Sequence, residues 1–145
     1  MKFKYIILLL LSFVALAFYL SDDGKYNSEL MKEYVYWSKV MKANGIDISK
    51  SESIRVLDFA ELGDAVAGRS NVFSNLIYIS HKERDHKPTV RAILWHELGH
   101  YTFDLKHDDC VIMNTALSER NYYSTHWSAL ESEYVNVIIN KDGEK

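Results

Sequence analysis

Hydrophobic and polar positions follow three different rhythms along this chain. Residues 28–43 (SELMKEYVYWSKVMKA) place Leu30, Tyr34, Trp37 and Met41 at helical intervals, with Asn27 or Ser28 as N-cap and Asn44-Gly45 as the stop. Residues 53–59 (SIRVLDF) alternate instead, with Ile54, Val56 and Asp58 on one side and Arg55, Leu57 and Phe59 on the other, which suits a strand. LIYIS at 76–80 reads as a second strand, and between the two Ala67-Gly68-Arg69 and Ser70-Asn71 predict turns or an irregular loop. Pro88 favours the first turn of a helix that TVRAILWHELGHY (89–101) continues. A last helix is expected over about residues 125–139, carrying Trp127, Leu130, Tyr134, Val137 and Ile138. The order helix, strands, helix, irregular loop, helix makes an α+β domain.

The third rhythm is a continuous apolar run. Lys2 and Lys4 precede sixteen residues, Tyr5 to Leu20, interrupted only by Ser12 and ended by Ser21, Asp22, Asp23 and Gly24. A comfortable membrane span needs about 20 residues, so residues 1–20 are expected to be a signal peptide or a short membrane anchor, and residues 21–145 a single domain. Ala15 and Ala17 have the A-x-A spacing of a cleavage site, which favours a cleaved signal and a soluble form beginning near Phe18. Either way the domain is expected outside the cytoplasm, secreted, periplasmic or anchored, and in touch with a membrane only through the N-terminal segment if that stays uncleaved.

Composition then narrows the chemistry. The single cysteine, Cys110, rules out an internal disulfide, so stability must come from the core or from a bound metal. The formal charge is −3, and loss of residues 1–17 removes two lysines and no acid, moving it to −5. No basic stripe is left for nucleic acid, which is excluded as a partner.

Residues 96–107, HELGHYTFDLKH, carry the candidate chemistry. On a helix His96 and His100 project from one face a turn apart and can reach one ion, while Glu97 sits beside them, where a general base contacts the activated water rather than the metal. Leu94, Leu98 and Tyr101 occupy another stripe that buries the helix, and Gly99 admits another backbone closely. A catalytic zinc takes three protein ligands and keeps a position for water. His107 is the leading third ligand, since Asp104, Lys106, Asp108 and Asp109 predict that the helix has ended and turned. Glu131 or Glu133 on the last helix is the alternative, giving a two-histidine, one-glutamate site of the thermolysin type.

HELGH, the histidine of HDD, and then Cys110-Val111-Ile112-Met113-Asn114 together resemble the metzincin branch of the zincin metallopeptidases, the Ile-Met-Asn step being similar to its Met-turn. The stretch from Val66-Ala67-Gly68 through LIYIS to IMN is also similar to small predicted zinc metalloproteases of bacteria and phages, and covers about half the chain. The resemblance implies a small zincin-like domain, with a mixed sheet packed on the HExxH helix and a C-terminal helix. It implies His96, His100 and His107 as ligands of one Zn2+, Glu97 as general base and Met113 beneath the metal. The sequence departs from the metzincin pattern in one respect. That pattern has a glycine seven residues and the third histidine ten residues after the first, where this chain has Phe103 and Lys106, so His107 arrives one residue late.

The expected activity is endopeptidase hydrolysis of a peptide or protein substrate by metal-activated water, with Glu97 taking a proton and returning it to the leaving amine. Tyr122, Tyr123 or His126 is available to stabilise the oxyanion, and Asp108 or Asp109 to hold an imidazole N–H. Two other classes remain open at this stage. One is an exported zinc-stabilised binding module without turnover, and the other a membrane-anchored interaction protein whose histidines are satisfied core residues.

Overall fold

The computed structural model describes residues 26–114 and 120–143; the apolar segment expected at 1–20 lies outside them. Helix α1 is Ser28–Ala43, capped by the Asn27 side chain, which accepts from the Glu29 N–H at 3.0 Å. Its stripe of Leu30, Trp37 and Met41 is fully buried, and Tyr34 packs at the margin. Gly45, at φ +71°, supplies the left-handed residue that lets the chain leave the helix. A 3-10 turn at Ser49–Ser53 then takes up the first residue of the expected strand, and β1 is Val56–Ala60.

Three strands form a mixed sheet in the order β1-β3-β2, with β2 at Gly68–Asn71 and β3 at Leu76–Ser80. β1 and β3 run parallel, Val56 opposite Leu76 through Ala60 opposite Ser80. β2 and β3 form an antiparallel hairpin, Gly68 opposite Ile79 through Asn71 opposite Leu76. The expectation of turns or irregular loop at 67–71 is therefore corrected, since Gly68–Asn71 is an edge strand. GRSN has no apolar alternation to announce it. It becomes a strand because Ile77 and Ile79 are buried in β3 and leave backbone groups on that side for a partner to pair. On the opposite edge of the sheet, Tyr26 bridges to Leu57 and the Asn27 N–H donates to the Leu57 carbonyl at 2.8 Å. Leu57, Asp58 and Phe59 are all buried, so the centre of β1 is covered on both faces rather than on one.

The long helix α2 is Lys87–Phe103, a residue or two longer at each end than expected, with Pro88 in its first turn and the His86 ring accepting from the Thr89 N–H at 3.4 Å. Leu94, Trp95, Leu98 and Tyr101 are fully buried against the sheet and the other helices. The Tyr101 hydroxyl donates to Asn75 Oδ1 at 2.8 Å and lies 2.7 Å from Ser53 Oγ, tying the end of α2 to the β2–β3 turn. Helix α3, Arg120–Gly143, exceeds the expected 125–139 and buries Tyr123, Leu130, Tyr134, Val135 and Ile138. The Tyr134 hydroxyl donates to the Trp95 carbonyl at 2.9 Å. Arg91 of α2 joins all three helices: its guanidinium is bidentate to Glu33 of α1 at 2.7 and 3.2 Å, and lies 5.0 Å from the Tyr36 ring and 5.1 Å from that of Trp127. Among the described residues no helix is long and apolar enough to cross a membrane.

α2 ends at Asp104, which adopts the left-handed conformation at φ 55° and directs its own N–H and that of Leu105 to the Gly99 carbonyl. Asn and Gly tolerate this conformation and a β-branched residue does not. Asp104→Val is expected to lower stability by about 1–2 kcal/mol and Asp104→Asn to leave it almost unchanged, as measured by urea unfolding of the metal-free protein.

Candidate metal centre

The three histidines of the motif converge. His96 Nε2 and His100 Nε2 lie 3.0 Å apart, and His100 Nε2 is also 3.0 Å from His107 Nε2. The ring centroids are 4.6, 4.7 and 5.2 Å apart, and one ligand atom from each residue lies within 4.8 Å of the others, close enough to hold one metal ion. His96 and His100 are half-buried; His107 is exposed.

The late arrival of His107 has a local cause. Helical geometry persists through Phe103, seven residues after His96, and the left-handed turn falls one residue later, at Asp104. The turn and the histidine are displaced together. Leu105 is buried beneath the loop, and Lys141 near the end of α3 donates to the Asp104 carbonyl at 2.8 Å while lying 3.6 Å from Asp109 Oδ2. Asp109 in turn accepts from the Lys106 N–H at 2.8 Å, so both sides of the His107 loop are held.

Carbonyl groups set the imidazole orientation. His96 Nδ1 lies 2.9 Å from the Ile112 carbonyl and His100 Nδ1 2.6 Å from the Leu105 carbonyl. A carbonyl only accepts, so each Nδ1 carries the proton and each Nε2 presents a lone pair. Two such lone pairs facing each other at 3.0 Å repel unless a proton or a cation lies between them, and this donor set of neutral imidazoles fits zinc and similar divalent metals. The expectation that Asp108 or Asp109 would hold an imidazole N–H is corrected for these two rings. Asp109 is engaged with Lys106 and Lys141, and the backbone of Leu105 and Ile112 does the holding.

Burial and charge agree with neutral rings. Desolvation, assisted by the neighbouring His100 and His107, pushes His96 down to about 4, against the opposing hydrogen bond to Ile112. Desolvation lowers His100 as well. Glu97 faces the opposite problem: burial pushes its carboxyl up to about 7, although the hydroxyl and backbone N–H of Ser70 favour the charged form.

Glu97 is nearly fully buried because β2 lies directly against it. A Cβ placed on Gly68 would come within 2.7 Å of Glu97 Oε1 and of Ile93 Cγ2, so only glycine admits this approach. Gly99, between the two helical histidines, is just as crowded, but by side chains rather than by the backbone expected. A Cβ there would meet Met113 Sδ at 2.7 Å and Tyr134 Oη at 3.0 Å. Met113 is completely buried in the 3-10 turn Val111–Met113, under α2 at the level of the histidines.

These groups line a cleft of about 720 Å³ whose walls include Ala65, Val66, Arg69, Val72, Ala92, Ile93, Ile112 and Tyr123. Of the three residues considered for an oxyanion, Tyr123 lines the cleft. Tyr122 and His126 stack on each other at 4.3 Å and do not line it. Glu131 accepts from the Tyr36 hydroxyl and from Trp127 Nε1, and Glu133 from the Val111 N–H at 3.4 Å; neither joins the three histidines. Sequence reasoning missed Gly68 and Ser70, the carbonyls of Leu105 and Ile112, and Lys141. Backbone acceptors leave no mark in a sequence, and GRSN looked like a turn.

His96 and Glu97 act oppositely on the acid stability of the metal-free protein. The folded-state value of His96 lies below its ordinary 6.5, so as pH falls from about 6.5 to about 4 the unfolded chain takes up the proton first and stability is lost. Glu97 is raised from 4.5 to about 7, so over most of that window the folded state holds the extra proton and acidification restores stability. Removing one side should expose the other. Metal-free Glu97→Gln is expected to lose stability more steeply than wild type between pH 6.5 and 4.5, read from urea midpoints at each pH.

Comparison of this chain with protein-family models, with curated proteins and with solved structures finds no match.

Proposed function

We propose that this protein is a zinc-dependent endopeptidase of the zincin type, exported through its N-terminal segment. The observation that carries the reading is the convergence of the three histidine Nε2 atoms in an open cleft, with the buried Glu97 carboxyl beside them. His96, His100 and His107 would hold the ion, which leaves Glu97 outside the ligand set and available for proton transfer. A zinc ion bound by three neutral imidazoles supplies Lewis acidity, polarising a carbonyl and lowering the pKa of water toward about 7.

The Glu97 carboxyl would take a proton from the attacking water and return it to the leaving amine nitrogen. Gly68 and Ser70 keep that carboxyl against β2, so it cannot swing away from the reacting atoms. Tyr123 is the α3 residue that lines the cleft, and its hydroxyl is the candidate donor to a developing oxyanion. Among the described residues β2 pairs on one side only, and its residues border the cleft. An edge of this kind accepts an extended peptide by main-chain hydrogen bonds, which favours a polypeptide substrate over a compact one.

The ligand set is tested with the metal alone. His96→Ala and His100→Ala are expected to abolish stoichiometric zinc, and His107→Ala to weaken zinc affinity by orders of magnitude. Glu131→Gln and Glu133→Gln should leave affinity nearly unchanged; full occupancy in the His96 or His100 variant ends the zincin reading.

Turnover is tested separately. Glu97→Gln should keep its zinc and lose cleavage of unfolded casein by about 10²–10⁴-fold, whereas a zinc-loaded wild type with no cleavage at all would make the protein a binding module. Export predicts a soluble form whose first residue lies near Phe18, and N-terminal sequencing that finds intact Met1 in the membrane fraction would make it an anchored protein.

A further inference from the structure

Arg69 stands apart from the other charged residues of the cleft. It is exposed in the middle of β2 and, among the described residues, is the only lysine or arginine lining the cleft, and its side chain has no hydrogen bond, ion pair or aromatic partner there. Four other cations in the fold are engaged: Arg91 with Glu33, Lys82 with Asp64, Lys141 with Asp109, and Arg84 over the Phe59 ring. An exposed guanidinium on an edge strand that borders a cleft, in a chain with a formal charge of −3, is suited to recognising an anion.

Its register says where that anion would lie. Alternation along β2 turns Gly68 and Ser70 toward α2 and Glu97, and turns Arg69 to the other face, opposite Tyr78 of β3. Among the described residues the second edge of β2 is unpaired. A peptide extended along it would set one residue directly opposite Arg69 on that same face, with Cβ atoms about 4.5–5.5 Å apart, the distance at which opposite charges pair across strands. Gly68 and Ser70 flank Arg69 by one residue on each side and both touch Glu97. With a rise of about 3.3 Å per residue, the peptide residue opposite Arg69 falls within about two residues of the bond beside Glu97.

We propose that Arg69 selects the substrate: the peptides cut at this site carry an aspartate or glutamate within two residues of the scissile bond, held by the Arg69 guanidinium. The proposal rests on the endopeptidase reading and adds the substrate class to it. A carboxylate matches the planar fork of the guanidinium with two parallel hydrogen bonds, which an amide of the same shape cannot do with charge. Phosphate-rich ligands fit less well, since Glu97 and Asp104 also line the cleft and, among the described residues, no second cation lines it.

The test is cleavage-site profiling by mass spectrometry. The full-length zinc-loaded protein and its Arg69→Gln and Arg69→Glu variants, matched for zinc content, are each incubated with a chymotryptic peptide library, which retains both acidic and basic residues. Wild type is expected to prefer Asp or Glu over Asn or Gln by about three- to tenfold in kcat/KM at one position within two residues of the cut. Arg69→Gln should abolish that preference, and Arg69→Glu should turn it toward Lys and Arg at the same position, with both variants as stable as wild type. Cleavage without an acidic preference, or a preference that survives in both variants, overturns the role of Arg69 and leaves the endopeptidase reading intact. No cleavage of any library peptide by zinc-loaded wild type overturns both.

Discussion

Two imidazole lone pairs held 3.0 Å apart are the constraint around which the rest of this molecule is arranged. Neutral rings do not choose that position for themselves, because each Nε2 would rather face water or a donor. They are held there by two backbone carbonyls, Leu105 and Ile112, each delivered by a segment that has to turn sharply back under α2. The Asp104 turn brings in Leu105, and the 3-10 turn Val111–Met113 brings in Ile112. Both carbonyls depend on packing beneath them, Leu105 in its own buried slot and Met113 against the hydrogen-only face of Gly99.

The Glu97 carboxyl is governed by the opposite wall. Glu97 is neighbour to His96 on the same helix, yet its environment is set by β2, through the missing side chain of Gly68 and the two donors of Ser70. Burial alone would leave the carboxyl protonated far above its ordinary range; the Ser70 donors draw it back, and the result is a value near 7. The same strand places Arg69 on its outer face, so one short, polar, four-residue element serves both the carboxyl proposed to transfer protons and the recognition inferred for the substrate.

Neither wall would hold its position without the helices behind it. Tyr134 of α3 bonds the Trp95 carbonyl one residue before His96, and Arg91 clasps Glu33 between the rings of Tyr36 and Trp127 one turn earlier on α2. Lys141, near the end of the same α3, reaches the Asp104 carbonyl on the far side of the histidines. The long helix is thus gripped on both sides of its motif. This matters in a domain with one cysteine, where no disulfide can share the task.

Much of this was legible in the residues themselves. α1 has the expected bounds, α2 and β3 follow their periodicity, and the i, i+4 spacing of His96 and His100 requires a shared face on any helix. These are local properties, since side-chain direction follows from backbone periodicity without knowledge of the remainder of the chain. Which third residue approaches the pair is not local. His107 and the two glutamates of α3 were all chemically able, and the choice fell to the left-handed turn at Asp104 and to the packing that engages Glu131 with Tyr36 and Trp127. β2 was invisible for the same reason. GRSN has no pattern of its own and becomes a strand only because β3 offers it a partner, so the element that buries Glu97 and frees Arg69 was decided entirely by tertiary pairing.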